Sequence, residues 1–179
     1  MLVFVGASAS GKTELAKTLF KTFGYKKCLT TTTRPKRNGE QDGVDYHFVN
    51  LLKFQQLEKE RAFLEINEYN HYWYGTQKTD IFDHGIIIVD PNGANALLEA
   101  LGADVFVVFV EASKETRKKR MNHRQDEQAI IEKRLAKDES IFRPEKIKRI
   151  DLIIHNENED LEHLANQIHQ VYQKQRLNR

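Results

Sequence analysis

The chain has 179 residues, the size of one domain, and is 40% hydrophobic and 30% charged. Its 28 Lys+Arg stand against 26 Asp+Glu, a net charge of +2, which argues against a general nucleic-acid binder with its basic excess. The longest fully apolar run, residues 105–110, is far too short to cross a bilayer, and the single Cys28 cannot form an internal disulfide. With no basic leader before the first apolar run, the expectation is a soluble cytoplasmic protein that binds neither membrane nor nucleic acid.

In chain order, Leu2–Val5 reads as a buried strand and Lys12–Phe23 as a helix with Leu15, Leu19 and Phe23 on one face, ended by Gly24. Lys26–Thr31 reads as a second strand. From about 33 to 78 the pattern changes to turns at Gly39 and Gly43, an isolated amphipathic helix over Asn50–Arg61, and two aromatic-rich strands, Phe63–Ile66 and Tyr69–Tyr74. This predicts an insertion with its own small sheet. Ile86–Val89 resumes the core, and Asp90-Pro91 supplies an N-cap and first residue for a helix through Leu101. Asp104–Val110 and Asp151–Ile154 read as strands, Ser113–Met121 and Gln128–Ser140 as charged helices, and Leu161–Gln173 as a terminal helix with Leu164, Ile168 and Val171 facing inward. Short apolar runs alternating with helices indicate an α/β fold with a mostly parallel sheet.

Gly6-Ala7-Ser8-Ala9-Ser10-Gly11-Lys12-Thr13 meets the P-loop pattern at every fixed position, between a buried strand and a helix. Backbone N–H groups and the helix N-terminus would cradle phosphate, Lys12 would reach the β and γ phosphates, and the Thr13 hydroxyl would ligate Mg²⁺. The motif predicts nucleoside triphosphate binding; ATPases, GTPases and kinases all carry it. No N-K-x-D base-reading motif of a GTPase is present. A second anion grip lies in the insertion instead, where Arg34 and Arg37 offer guanidinium forks and Tyr46 a hydroxyl.

Thr32, Thr33, Arg34, Arg37, Glu40, Gly43 and Tyr46 follow the T-T-R-x-x-R-x-x-E-x-x-G-x-x-Y pattern, and "EINEYNHYWYGT" follows at 65–76. With the P-loop, these stretches resemble the guanylate kinase family over essentially the whole chain. The resemblance implies transfer of the ATP γ-phosphoryl group to GMP or dGMP with Mg²⁺. It implies a three-layer P-loop fold with a parallel central sheet, an acceptor-binding sheet subdomain inserted at about 33–78, and a helical lid at about 113–140. Arg34, Arg37, Tyr46 and Tyr74 would hold the acceptor phosphate. Glu65 would face the N1–H and N2–H donors of guanine, which adenine lacks, with Thr30 and Thr76 hydroxyls near the other edge. In the lid, Arg120 and Arg134 would stabilise transition-state charge, and Arg124 would stack on adenine. Asn156 matches a position near the adenine and reads equally well as a strand-ending turn residue. Arg117, Lys118 and Lys119 read as an ordinary charged helix face.

Asp90, at a strand end, would cap the next helix and support the Mg²⁺ shell indirectly. Two positions earlier, where the family commonly carries an acid that contributes to guanine recognition, this chain has Ile88, which cannot accept a hydrogen bond. That substitution keeps open a kinase of another phosphorylated acceptor, such as a ribose phosphate. A third reading, from a different class, is an inactive interaction module of the same fold.

Overall fold

A computed structural model describes residues 1–69, 71–158 and 160–177. Its central sheet is entirely parallel: β1 (Leu2–Val5), β2 (Lys26–Lys27), β7 (Gly85–Ile88), β8 (Phe106–Glu111) and β9 (Leu152–His155) run in the order β2-β7-β1-β8-β9. Alternation along β1 divides the core. Leu2 and Phe4 pack with Leu15 and Leu19 of α1 (Lys12–Phe23) and Leu164, Ile168 and Tyr172 of α6 (Leu161–Leu177). Val3 and Val5 face the opposite side, with Ala94 and Leu97 of α3 (Pro91–Leu101). Three layers result, both sheet faces covered, as a parallel sheet demands. The strand order reverses about β1, so its carboxyl end opens into the crevice where such sheets bind ligands.

The second sheet runs β4-β3-β6-β5, from β3 (Thr30–Thr32), β4 (His47–Phe48), β5 (Phe63–Tyr69) and β6 (Tyr72–Gln77). Helix α2 (Leu51–Lys59), capped by the Asn50 side chain on the Lys53 N–H, seals it with Phe54 stacked on Phe63 at 4.7 Å. Helices α4 (Lys114–His123) and α5 (Gln128–Ile141), where the sequence predicts a lid, share a small core of Met121, Ile131 and Leu135, against which Ala9 of the P-loop packs.

Three sequence expectations are corrected. Lys26–Thr31 is not one strand; Lys26–Lys27 pairs with β7, and Thr30–Thr32 crosses into the second sheet, because every residue in the run tolerates extended backbone and only pairing decides the sheet. Tyr69–Tyr74 is not one strand either. Tyr69 ends β5 and Tyr72 begins β6, with His71 at φ 64° between them and Asn70 outside the described residues. Finally, Arg117 is no surface charge: it is buried, as described below. The helix caps are met, with Gly24 left-handed at φ 70° after α1 and Asp90 accepting the Gly93 N–H before α3.

Candidate active site

The P-loop spans the gap between β1 and α1, and two of its positions require glycine. A Cβ on Gly6 would lie 2.2 Å from the Val110 carbonyl oxygen. One on Gly11, at φ 99°, would lie 2.0 Å from Asn156 Nδ2. Lys12 Nζ donates to the carbonyls of Gly6 at 2.6 Å and Ala7 at 2.8 Å. Burial, the largest influence, pulls its pKa down to about 8. The Ser8 N–H donates to Asp138 Oδ2 of α5 at 2.7 Å, and Arg117 Nη1 meets the same oxygen at 3.3 Å. This ion pair is 4% and 1% exposed, so a carboxylate of α5 rests directly on a phosphate-loop amide.

Opposite the P-loop stands the second sheet, whose register aligns the predicted acceptor residues. Thr30, Thr76 and Glu65 lie in one cross-strand row, and Thr32, Tyr74 and Asn67 in the next row on the same face. Glu65 Oε1 accepts the Thr76 hydroxyl at 2.6 Å. Burial, aided by the nearby Asp90 charge, pushes the Glu65 carboxyl up to about 7. Asp90 accepts the Gly93 N–H on Oδ1 at 2.8 Å and the Asn67 amide on Oδ2 at 2.5 Å; burial raises its pKa as well.

Arg34 is clamped by Glu40 through two bonds, Nη1–Oε2 at 2.9 Å and Nη2–Oε1 at 2.8 Å. Its guanidinium lies over the Tyr46 ring at 5.3 Å. Burial alone would lower its pKa, but the Glu40 carboxylate outweighs that and holds it raised. Glu40 Oε2 also accepts the backbone N–H of Arg37 at 2.8 Å, so one carboxylate orders both arginines of the grip. Tyr74 sits edge-on to Tyr46 at 6.3 Å, and burial raises the Tyr46 pKa, keeping its hydroxyl a donor.

These groups line a single cleft of about 250 Å³: Gly6, Ser8, Lys12 and Thr13 at one end, Thr30, Arg34, Arg37, Tyr46, Glu65 and Tyr74 at the other, with Ile88 and Asp90 between. Thr76 stands behind Glu65, fully buried. The remaining predicted residues lie elsewhere. Arg120 spends its guanidinium on the carbonyls of Ala9, Ser10, Asn156 and Glu157 and on Asn156 Oδ1, at 2.8–3.3 Å. Asn156 is buried and donates Nδ2 to the Ser10 carbonyl at 2.9 Å. Arg124 is exposed at the end of α4, and Arg134 pairs with Asp126 at 3.3 Å. Sequence reasoning missed the clamping role of Glu40, the Asp138 contact, and Asn67, whose only signal is its place two residues past Glu65 on one strand face.

A phosphate loop and a second cationic, tyrosine-walled anion site opening on one cleft define a P-loop nucleoside monophosphate kinase. The family profile described as guanylate kinase matches residues 1–175. Guanylate kinase from Coxiella burnetii (strain RSA 493 / Nine Mile phase I) is 33% identical over 189 aligned positions, covering 100% of this chain and 89% of its own. That of Legionella pneumophila (strain Paris) is 33% identical over 187, covering 99% and 87%. The crystal structure of guanylate kinase from Anaplasma phagocytophilum superimposes with a TM-score of 0.71 at 24% identity, over 98% of this chain and 85% of that one, and so shares the fold. The chain belongs to the guanylate kinase family.

Proposed function

We infer that this protein transfers the γ-phosphoryl group of ATP to GMP or dGMP, giving ADP and GDP or dGDP. The observation that carries this reading is Glu65: a buried carboxylate, fixed by Thr76, on the wall of a cleft whose two ends are both built for phosphate. Its oxygens suit the adjacent N1–H and N2–H donors of guanine, and a site built to hydrogen-bond a substrate group rejects the analogue lacking it by roughly 10⁴–10⁵. No observation favours a ribose phosphate acceptor or an inactive interaction module.

ATP phosphates would enter the P-loop cradle, and Lys12 would exchange the Gly6 and Ala7 carbonyls for phosphate oxygens, whose charge favours its ammonium form. Arg34 keeps Nε–H and one Nη2–H without a protein partner among the described residues, and these, with Arg37 and the Tyr46 and Tyr74 hydroxyls, would aim the acceptor phosphate. That phosphate oxygen is already anionic, so no general base is needed. In-line attack then transfers the phosphoryl group between two fixed anion sites, with catalysis resting on positioning and charge. The residues present fit Mg²⁺. Thr13 lines the cleft beside Lys12, and Asp90, which accepts from the Gly93 and Asn92 backbone and the Asn67 amide, lines it too, where its carboxylate could accept from a coordinated water. No trio of acidic, His or Cys groups converges among the described residues, so phosphate oxygens and water would complete the shell. When bound, Mg²⁺ would neutralise charge on the β and γ phosphates.

In this reading residues 33–78 form the acceptor-binding insertion and 113–140 the lid. Arg120, Arg124 and Arg134 line no part of the cleft, so a role for Arg134 at the transferring group, or for Arg124 at the adenine, requires α4 and α5 to shift on nucleotide binding. Arg120 would act through the P-loop carbonyls it holds. The test is ADP formation from ATP·Mg²⁺ with GMP, dGMP, AMP, IMP, UMP and ribose phosphates. Selective turnover of the guanine nucleotides is expected. Turnover of another acceptor alone would overturn the guanine assignment, and silence across the panel would overturn the kinase.

A further inference from the structure

The phosphate loop is gripped from outside by α4 and α5. Ala9 holds a left-handed φ of 60° without being glycine, and it packs on the Met121, Ile131 and Leu135 core of the two helices. Arg120 donates to the carbonyls of Ala9 and Ser10. The shortest of these polar contacts is that of Asp138 Oδ2, which accepts the Ser8 N–H at 2.7 Å. Asp138 lies in the last turn of α5 and Arg117 in the first turn of α4. The bond therefore ties the loop to the root of the helix pair and not to its far end.

The ion pair itself is a poor stabiliser. Arg117 and Asp138 meet through one contact of 3.3 Å, and Arg117 Nε and Asp138 Oδ1 are buried with no hydrogen-bond partner among the described residues. Desolvating two charges for one such contact gains little. What the carboxylate does well is hold Ser8, a residue at the phosphate end of the cleft. A bare negative charge there would oppose a triphosphate, and Arg117 offsets it; Lys12 feels both charges. A cradle of amides binds an anion best when the amides converge beforehand.

We propose that Asp138 is a positioning residue for ATP, fixing the phosphate loop through the Ser8 N–H, with Arg117 as the counter-charge that lets a carboxylate stand so near the anion site. Asp138 touches no substrate in this role; it acts through the loop. Resting on the assignment of ATP to the P-loop, the role keeps the Ser8 bond in place when the nucleotide is bound.

Two double variants with the same loss of charge isolate the contact. Arg117→Leu/Asp138→Leu removes the acceptor of the Ser8 N–H, whereas Arg117→Leu/Asp138→Asn keeps one in the amide oxygen. Binding of ATP·Mg²⁺ is measured by titration calorimetry without acceptor, KM for GMP by steady-state kinetics at saturating ATP, and folding by thermal melting. The leucine pair should bind ATP about tenfold more weakly, as for one lost buried bond, with KM for GMP moved less than about threefold. The asparagine variant should bind ATP within about threefold of the unaltered protein. Equal weakening of both nucleotides would reduce Asp138 to a support of the fold and overturn the proposal. So would a leucine pair that binds ATP as the unaltered protein does, or an asparagine that restores nothing. Amide exchange at Ser8 in the unaltered protein, followed by NMR, needs no variant to fold. Slowed exchange with and without ATP is expected, and unprotected exchange in either state would overturn the role. An unaltered protein that binds no ATP would remove the P-loop assignment first, and this one with it.

Discussion

The acceptor wall and the lid use charge in opposite ways. On the wall three groups are held by a neighbour before substrate arrives: Arg34 by Glu40, Glu65 by Thr76, Asn67 by Asp90, while the Arg37 side chain is exposed. In the lid the arginines are spent elsewhere or solvated; Arg120 binds carbonyls beneath the P-loop, Arg134 pairs at the surface, and Arg124 stands in water. The wall is therefore preorganised, and little side-chain entropy remains to be lost when the acceptor binds. The arginines of α4 and α5 lie outside the cleft, and in the proposed reading movement would bring their charge to it. On that reading one region recognises and the other completes the site on closure.

The sharpest way to break that comparison is to remove the wall's best-held group. Arg34→Ala would delete a phosphate donor and leave the Glu40 carboxylate unpaired, facing the incoming anion. Breaking such a buried pair costs about 3–5 kcal/mol, and kcat/KM for GMP should fall on the order of 10³-fold. Steady-state kinetics would check this, and a loss under tenfold would mean that the clamp does not position the acceptor. Arg34→Lys should rescue only weakly, because an ammonium cannot form the fork.

The next largest effect lies where lid and P-loop meet. Asp138→Ala would strand the Arg117 guanidinium in a buried site and free the Ser8 amide, destabilising the fold by about 3 kcal/mol. Replacing both partners by leucine should be far milder. Denaturant unfolding of the two variants would separate a pair that holds the lid root from one that is merely tolerated. Equal losses in both would show that the charges themselves, not their mutual compensation, matter.

A pH series addresses the wall again. Glu65 must be ionised to accept from guanine, and its carboxyl sits at about 7 in the free protein. GMP affinity should be complete above that pH and lost as pH falls through it, KM rising roughly tenfold per unit below 7. Glu65→Gln should flatten the profile, although its affinity is lower; the second ionisation of the GMP phosphate, near 6, remains in both. The stability consequence has the opposite sense. A carboxyl whose folded pKa is raised favours the folded state when protonated, so stability falls as pH rises from the ordinary carboxylate range through about 7. Glu65→Gln should then melt higher at pH 8, by about 1–3 kcal/mol, a case of binding chemistry held at the expense of stability.

What the sequence disclosed follows the same division. The P-loop was readable because its chemistry is backbone geometry, and Gly6, Gly11, Lys12 and Thr13 report it at fixed spacing. The anion grip was readable because Arg34, Arg37, Glu40 and Tyr46 fall within one short segment. Partners far apart in the chain were not. Asp138 reaches Ser8 across 130 residues and Arg117 across 21, so Arg117, flanked by Lys118 and Lys119, looked like any solvated helix face. The strand boundaries failed for a related reason. Lys26–Thr31 and Tyr69–Tyr74 favour extended backbone throughout, and only tertiary pairing shows that one changes sheets and the other reverses. Asn67 was hidden because an isolated amide has no motif; its meaning comes from Asp90 beside it.

The smallest effect belongs to the lid surface. Asp126 and Arg134 meet at 3.3 Å, with side chains 28% and 35% exposed, and pairs of that kind contribute at most about 1 kcal/mol. Asp126→Ala should shift the melting temperature by no more than a few degrees. Its kinetic effect is the more telling one. If Arg134 works by leaving this pair and swinging to the transferring group, Asp126 opposes closure, and removing it should leave kcat unchanged or raise it a few fold, with the GMP KM unmoved. Added salt, which screens the pair, should then narrow the difference between the two proteins. A tenfold fall in kcat would mean that Asp126 holds Arg134 in its working position, and the lid would be as preorganised as the wall.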